Sequence, residues 1–323
     1  GGNATFTGDN GVNAVTITFA GGKVNFVDPT GVTEGGDNAD CTAIPNGQSC
    51  DNVTTNVTLN LGDGADTTTF VGDPGALHPF VNGEGAADTL NGSTANDTIN
   101  GGTGDDIIDG GAGNDAVDYS DGDETATGSI GFDTIHGGNG NDTLTASADG
   151  DSLLGDTGND TLTGSDQNES LDGGDGNDTV AGGGGSDTVN GGIGNDVLSG
   201  GPGGDNVNGG DGDDTLNGGD GNDTIQGGGG NDTMAGGLGN DTYFVEQAGD
   251  VVTENSNEGS DAVIVLIGSY TLAANVEVGA TFLTSGASIT GNGLDNRLYG
   301  NIGADTLNDQ IVQGHAAAAE VGT

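Results

Sequence analysis

The chain has 323 residues, of which 71 are Gly and 51 are Asp or Glu, against two basic residues, Lys23 and Arg297, for a formal charge of −49. Such a polyanion repels nucleic acid and anionic membrane surfaces, which removes both as partners, and its natural small partner is a hard cation that prefers oxygen. With 4% aromatic residues and no Trp it has little with which to build an ordinary core, and without a cation its composition is that of a disordered chain.

No stretch is long and apolar enough to span a bilayer; the longest strongly apolar run, 262–267, has the length of a strand. The chain opens on Gly1 rather than Met, with no signal peptide ahead of it, and is read as a mature or trimmed form. In the first segment, 1–82, the stretches 14–19 (AVTITF), Lys23–Val27 and 53–61 (VTTNVTLNL) are predicted strands between Gly/Asp turns. Residues 61–69 (LGDGADTTT) look like a displaced copy of the repeat that follows, so this segment is expected to start or cap the fold of the array. Cys41 and Cys50 are the two cysteines. In an extracellular chain such a close pair is expected to form a disulfide, with two free thiols as the alternative.

From 83 to 244 a nine-residue frame runs without a slip through 18 units. Its sixth position is Asp in 16 units and Glu in the other two, Glu124 and Glu169. Its eighth position is apolar or aromatic in all of them, from Leu90 and Ile99 to Met234 and Tyr243. Gly fills the first position in 16 units and the fourth in 14. The first six residues of a unit are turn formers: Gly takes backbone angles other residues resist, and Asn or Asp at position five tolerates the left-handed region. The last three, such as Thr-Leu-Thr, suit a short strand with one inward side chain. A turn and a strand make half a coil, so two units make one coil, position eight forms a thin core, and alternate position-six carboxylates line up on two edges. Stacked at strand spacing, those carboxylates repel unless a cation sits between them.

Units such as 137–145 (GGNGNDTLT), 173–181 (GGDGNDTVA) and 218–226 (GGDGNDTIQ) resemble the calcium-binding nonapeptide of the RTX, or hemolysin-type, family of bacterial secreted proteins. The resemblance implies an all-β, right-handed parallel β-solenoid (β-roll) with two repeats per coil. It also implies multiple calcium ions between stacked turns, each held by Asp carboxylates and turn carbonyl oxygens. Carried over position by position, the metal ligands are Asp106, Asp115, Asp133, Asp142, Asp160, Asp178, Asp187, Asp196, Asp205, Asp214, Asp223, Asp232 and Asp241. The turn glycines that go with them are Gly174, Gly176, Gly192, Gly194, Gly210, Gly212, Gly219 and Gly221. Units 119–127, 146–154 and 164–172 keep the frame but lose glycines, and Asp88 stands in a degenerate turn, so the tightest sites are expected in 173–244.

Residues 245–290 are expected to interrupt the array as a β-rich spacer of the kind that separates repeat blocks in large RTX proteins, with strands at 263–266 and 276–278. Two further units follow, 291–299 and 300–308, with Asn296 and Asp305 at position six, and then a mobile tail within 291–323. H-E-x-x-H and G-x-S-x-G motifs are absent and His78, His136 and His315 are scattered, so the chain is not expected to be an enzyme. The sequence therefore reads as a secreted, extracellular or cell-surface calcium-binding solenoid. Its expected role is that of a structural, surface-layer or filament subunit, with itself as a further partner. The alternative is a calcium-triggered folding and secretion module cut from a larger toxin, enzyme or adhesin. Ice binding would need a regular outward Thr row, but position three holds Thr only at Thr94, Thr103 and Thr157.

Overall fold

The computed structural model describes residues 2–7, 14–20, 23–27, 40–44, 47–51, 53–75, 77–118, 121–301 and 304–309, and among these every helix or strand is a β-strand. Two compact units divide at Ser165/Asp166, inside the repeat array. Each is a parallel β-solenoid.

In the first unit one sheet stacks Gly2–Thr7, Val53–Gly62, His78–Glu84, Thr98–Asn100, Ala116–Asp118, Thr134–Asn139 and Ser152–Thr157, each parallel to the next. The facing sheet stacks Ala14–Ala20, Thr67–Val71, Thr89–Asn91, Ile107–Asp109, Thr125–Thr127, Thr143–Thr145 and Thr161–Thr163 in the same way. The register carries Ile99 onto Val117 and Val117 onto Ile135, a step of two nonapeptides, as the pairing of two units per coil requires. The N-terminal segment continues the sheets of the solenoid. Beyond the parallel strand Ala14–Ala20, the strands Lys23–Val27, Gly47–Asp51 and Asp40–Ile44 turn antiparallel. Among the described side chains of this segment Phe6, Ile17, Val24 and Phe26 are buried, with the rings of Phe6 and Phe26 6.2 Å apart.

In the second unit one sheet stacks Ser170–Asp175, Thr188–Ile193, Asn206–Asp211, Thr224–Gly229 and Thr242–Val245. The other stacks Thr179–Ala181, Val197–Pro202, Thr215–Asp220, Thr233–Leu238 and Val251–Thr253. Seven of these strands are six residues long rather than the three expected, because pairing runs on across two glycines, as in Gly192 against Gly210. Through residues 245–290 one of the two sheets continues. Val251–Thr253 holds the nonapeptide register, with Val252 against Met234. Ala262–Val265, Val278–Thr281 and Arg297–Tyr299 then extend the first sheet. Ser269–Thr271, Ser288–Thr290 and Thr306–Asn308 alternate with these in sequence and form a separate three-stranded sheet. The coil length changes along the continuing sheet: Tyr243 meets Val263, Val263 meets Gly279, and Gly279 meets Leu298. Residues 310–323, where the mobile tail was expected, lie outside the described residues.

The position-eight side chains from Leu90 to Tyr243 are buried without exception. Each contributes roughly 1.5–3 kcal/mol of transfer free energy for a Val- to Leu-sized group. The core is one side chain wide per half coil.

Candidate metal centre

Each consensus turn bends at its glycines. At Gly192 φ is +111°, a conformation an L side chain rarely adopts, and an added Cβ would collide with the carbonyl oxygen of Gly174 one coil before. A side chain at position two, and at position four by the same geometry at Gly194, is therefore disfavoured in the stacked coils. Where another residue stands at position two or four, the same left-handed angle is sometimes kept at a cost in strain: Glu84, Ala86, Ser129 and Asp156 all have φ near +70°.

The turn carries the position-six carboxylate inward, and Asp232, Asp106 and Asp223 are at most 1% exposed. One oxygen of each is used in a ladder along the solenoid. The N–H of Asp187 donates to Oδ1 of Asp205 at 2.8 Å, Asp205 to Asp223 at 2.8 Å, and Asp223 to Asp241 at 2.8 Å. On the other edge Asp178 donates to Asp196, Asp196 to Asp214 and Asp214 to Asp232, at 2.8, 2.8 and 2.9 Å. In the first unit the same ladder links Asp97, Asp115, Asp133 and Asp151 on one edge, and Glu124, Asp142 and Asp160 on the other.

The second oxygen is different. Oδ2 of Asp88, Asp106, Asp115, Asp133, Asp142, Asp187, Asp196, Asp205, Asp214, Asp223, Asp232 and Asp241 is buried and accepts no hydrogen bond, and both oxygens of Glu124 are in the same state. Burial pushes the Asp88 carboxyl up to about 7 and that of Asp115 to about 8, with backbone N–H donors pulling down and neighbouring carboxylates pushing up. Asp196, Asp205 and Asp232 are raised by the same burial. Two basic residues in the chain cannot neutralise such rows. Hard oxygen donors, negatively charged, dehydrated and without partners, are the donor set that suits calcium.

Neutral oxygens converge on the same points. The Cβ position of Gly209 is blocked both by Oδ2 of Asp214 and by the carbonyl oxygen of Gly227, one coil on, and Gly191 stands likewise between Asp196 and Gly209. The carbonyls beside the free carboxylate oxygens thus include those of position one, which sequence reasoning passed over in favour of positions two and four. The glycines of positions two and four, among them Gly174, Gly176, Gly210, Gly212, Gly219 and Gly221, all have positive φ and shape the turn.

Not every carboxylate is open. In the turns of Asp97 and Asp151 the second oxygen accepts the N–H of position two, from Ser93 and from Ser147. Asp250 accepts from Glu246 and Gln247, Asn296 from Asn292, and Asp305 from Asn301. None of these position-two residues has positive φ. Without positive φ, position two turns its N–H toward the carboxylate of its own turn; with positive φ it turns it away. Unit 146–154, expected to be deficient, is closed in this sense. Asp88 and Glu124, left out of the expected ligands for their poor turns, are open.

Position five has a different role from the one expected. Among the described units its residue has no positive φ, so tolerance of the left-handed region does not explain its identity. Its side-chain oxygen accepts the N–H of position five in the next coil: Asn177 from Asn195, Asn195 from Asp213 and Asp213 from Asn231, at 2.7 to 2.8 Å. This ladder runs opposite to that of position six.

Sequence reasoning also missed Glu254 and Asp261. With Asp241 they form a buried acidic group whose nearest oxygens all lie within 4.8 Å of one another. The signal existed for Glu254: it stands in frame at position one, which is Gly in 16 of the 18 array units. Asp261 follows Asp241 by 20 residues and so falls outside the frame. Cys41 and Cys50 are direct partners in the register of Asp40–Ile44 and Gly47–Asp51; their side chains lie outside what is described, and the disulfide is a proposal.

The family model of the RTX calcium-binding nonapeptide repeat matches residues 82–117, 118–153, 145–180, 172–207, 181–216, 208–243 and 288–309. Among curated proteins none matches the chain.

Proposed function

Because the chain belongs to the RTX calcium-binding nonapeptide repeat family, we propose that it is a secreted protein whose open position-six carboxylates hold calcium between successive turns, and that this calcium is what lets the chain fold. The observation that carries the reading is the set of buried carboxylate oxygens with no hydrogen-bond partner, those of Asp88, Asp115, Asp205 and Asp223 among them. Leaving one such charge buried and uncompensated costs several kcal/mol, roughly, and the cost recurs in every open turn. A divalent cation between turns removes it. Asp106, Asp115, Asp133, Asp142, Asp160, Asp178, Asp187, Asp196, Asp205, Asp214, Asp223, Asp232 and Asp241 supply charge, as do Asp88 and Glu124, while glycine carbonyls add neutral oxygens.

Its role is that of a structural subunit of an extracellular matrix, surface layer or filament. What supports this is the strand edges at the end of the second unit. Among the described residues Val251–Thr253 and Arg297–Tyr299 are the outermost strands of their sheets, and Val251 and Tyr299 are exposed. Unpaired edges of that kind recruit further strands, and bridging calcium would relieve the repulsion between two polyanions. Light scattering and negative-stain microscopy across a calcium titration test the role. Assembly at millimolar calcium that reverses in chelator is expected; a monodisperse monomer at high calcium and high protein concentration overturns the assembly and leaves the calcium fold to be judged by itself.

A further inference from the structure

At the end of the regular array a different kind of centre is built. Glu254 follows the strand Val251–Thr253 and takes the place of a position-one glycine. That position faces the interior: at Gly236, one coil earlier, an added Cβ would collide with Oδ2 of Asp241 and with the hydroxyl of Tyr243. A glutamate there sends its carboxylate inward, and Glu254 is 6% exposed, Asp241 and Asp261 1% each. The Tyr243 hydroxyl donates to Oε1 of Glu254. Oε2 of Glu254 and Oδ2 of Asp241 are buried and accept nothing. Oδ1 of Asp241 is held by the N–H of Asp223, and Oδ1 of Asp261 by the N–H of Asp241 at 3.0 Å. The backbone thus fixes two of the carboxylates and a phenol fixes the third.

We propose that Asp241, Glu254 and Asp261 form a hard-cation site of their own, taking calcium or a lanthanide, that closes the array. It differs from the turn sites because one of its ligands stands at position one and another outside the nonapeptide frame, so that three carboxylates rather than stacked position-six pairs meet at one point. Three negative charges within 4.8 Å and out of water repel strongly unless an ion is among them. Tyr243, at position eight where an aliphatic side chain is otherwise usual, donates to one oxygen of Glu254 and leaves the other directed at the ion. The site rests on the proposed function in sharing Asp241 with the row of turn carboxylates, whereas Glu254 and Asp261 belong to it alone, so variants at those two report on it apart from the turn sites.

The chain contains four Tyr and no Trp, so terbium luminescence excited through tyrosine reports ions bound beside a phenol. The experiment uses the full chain folded in calcium and titrated with Tb3+. Tyr243→Phe defines the component owed to this site, and Glu254→Gln is expected to weaken Tb3+ binding in that component at least tenfold. Asp261→Asn keeps an acceptor for the Asp241 N–H and leaves the Tyr243–Glu254 bond in place, and it should weaken the same component. Circular dichroism in calcium shows that each variant is folded. Emission from Tyr243→Phe equal to the parent overturns the proposal, as does a component unchanged by Glu254→Gln or by Asp261→Asn. Sheet signal that survives chelator would count against the array reading instead, without altering the Tyr243 component.

Discussion

The backbone N–H of Asp205 donates to Oδ1 of Asp223, one coil further on, at 2.8 Å, while Oδ2 of Asp223 is buried with no partner. One side chain is thus half structural and half vacant of bonding, and the pattern recurs along both edges. The ladder specifies where each carboxylate stands, and its free oxygen sets what the chain needs from solution.

Calcium removal comes first. In excess chelator the protein should lose its β-sheet circular dichroism and expand in light scattering, and regain both on adding calcium. Sheet signal undiminished in chelator would mean that the open carboxylates are tolerated without an ion.

Acid should partly replace the metal. Burial raises Asp88 to about 7, Asp115 to about 8 and Asp223 to about 6, from about 3.8 in an unfolded chain. The folded state therefore holds protons more tightly than the unfolded state. That stabilisation is fully present below about pH 3.8 and is lost as pH rises through 6 to 8. In chelator, sheet signal should return as pH falls from 8 toward 4. A metal-free protein equally unfolded at both ends of that range would count against burial as the source of the calcium requirement.

Open and closed turns should respond differently to loss of charge. Asp205→Asn keeps the acceptor for the Asp187 N–H but removes the charge of an open turn; Asp151→Asn does the same in a turn closed by Ser147. The first is expected to raise the calcium midpoint for folding several-fold and to lower the number of bound ions in equilibrium dialysis. The second should leave both close to the parent, and equal effects would remove the distinction.

Glycine positions should divide by geometry rather than by sequence. Gly192 has φ +111° and faces the Gly174 carbonyl, whereas Gly184 has no positive φ and finds its nearest atom at 3.5 Å. Gly192→Ala is expected to cost about 1–2 kcal/mol in backbone strain before the collision is counted. Gly184→Ala should be near neutral or slightly stabilising. Thermal unfolding in saturating calcium checks the pair.

The nine-residue period, the inward Leu90-to-Tyr243 column and the position-six carboxylates were legible in the residues themselves, because a short repeat in a solenoid writes its local conformation and its burial in the same frame. What the frame could not convey depends on contacts between residues one coil apart and on the sign of a backbone angle. The Asn177–Asn195 ladder shows why position five is Asn or Asp, and it exists only once coils stack. Asp97 is closed and Asp88 open because the N–H of position two points toward the carboxylate in one turn and away in the other. Beyond Val251–Thr253 the nonapeptide period is lost, yet Ala262–Val265 and Val278–Thr281 continue one of the sheets, since strand pairing constrains the two ends of a coil and not the number of residues looped between them. Asp241, Glu254 and Asp261 come together for the same reason: their distance in sequence follows no repeat, and only the stacking of coils of unequal length brings their oxygens to one point.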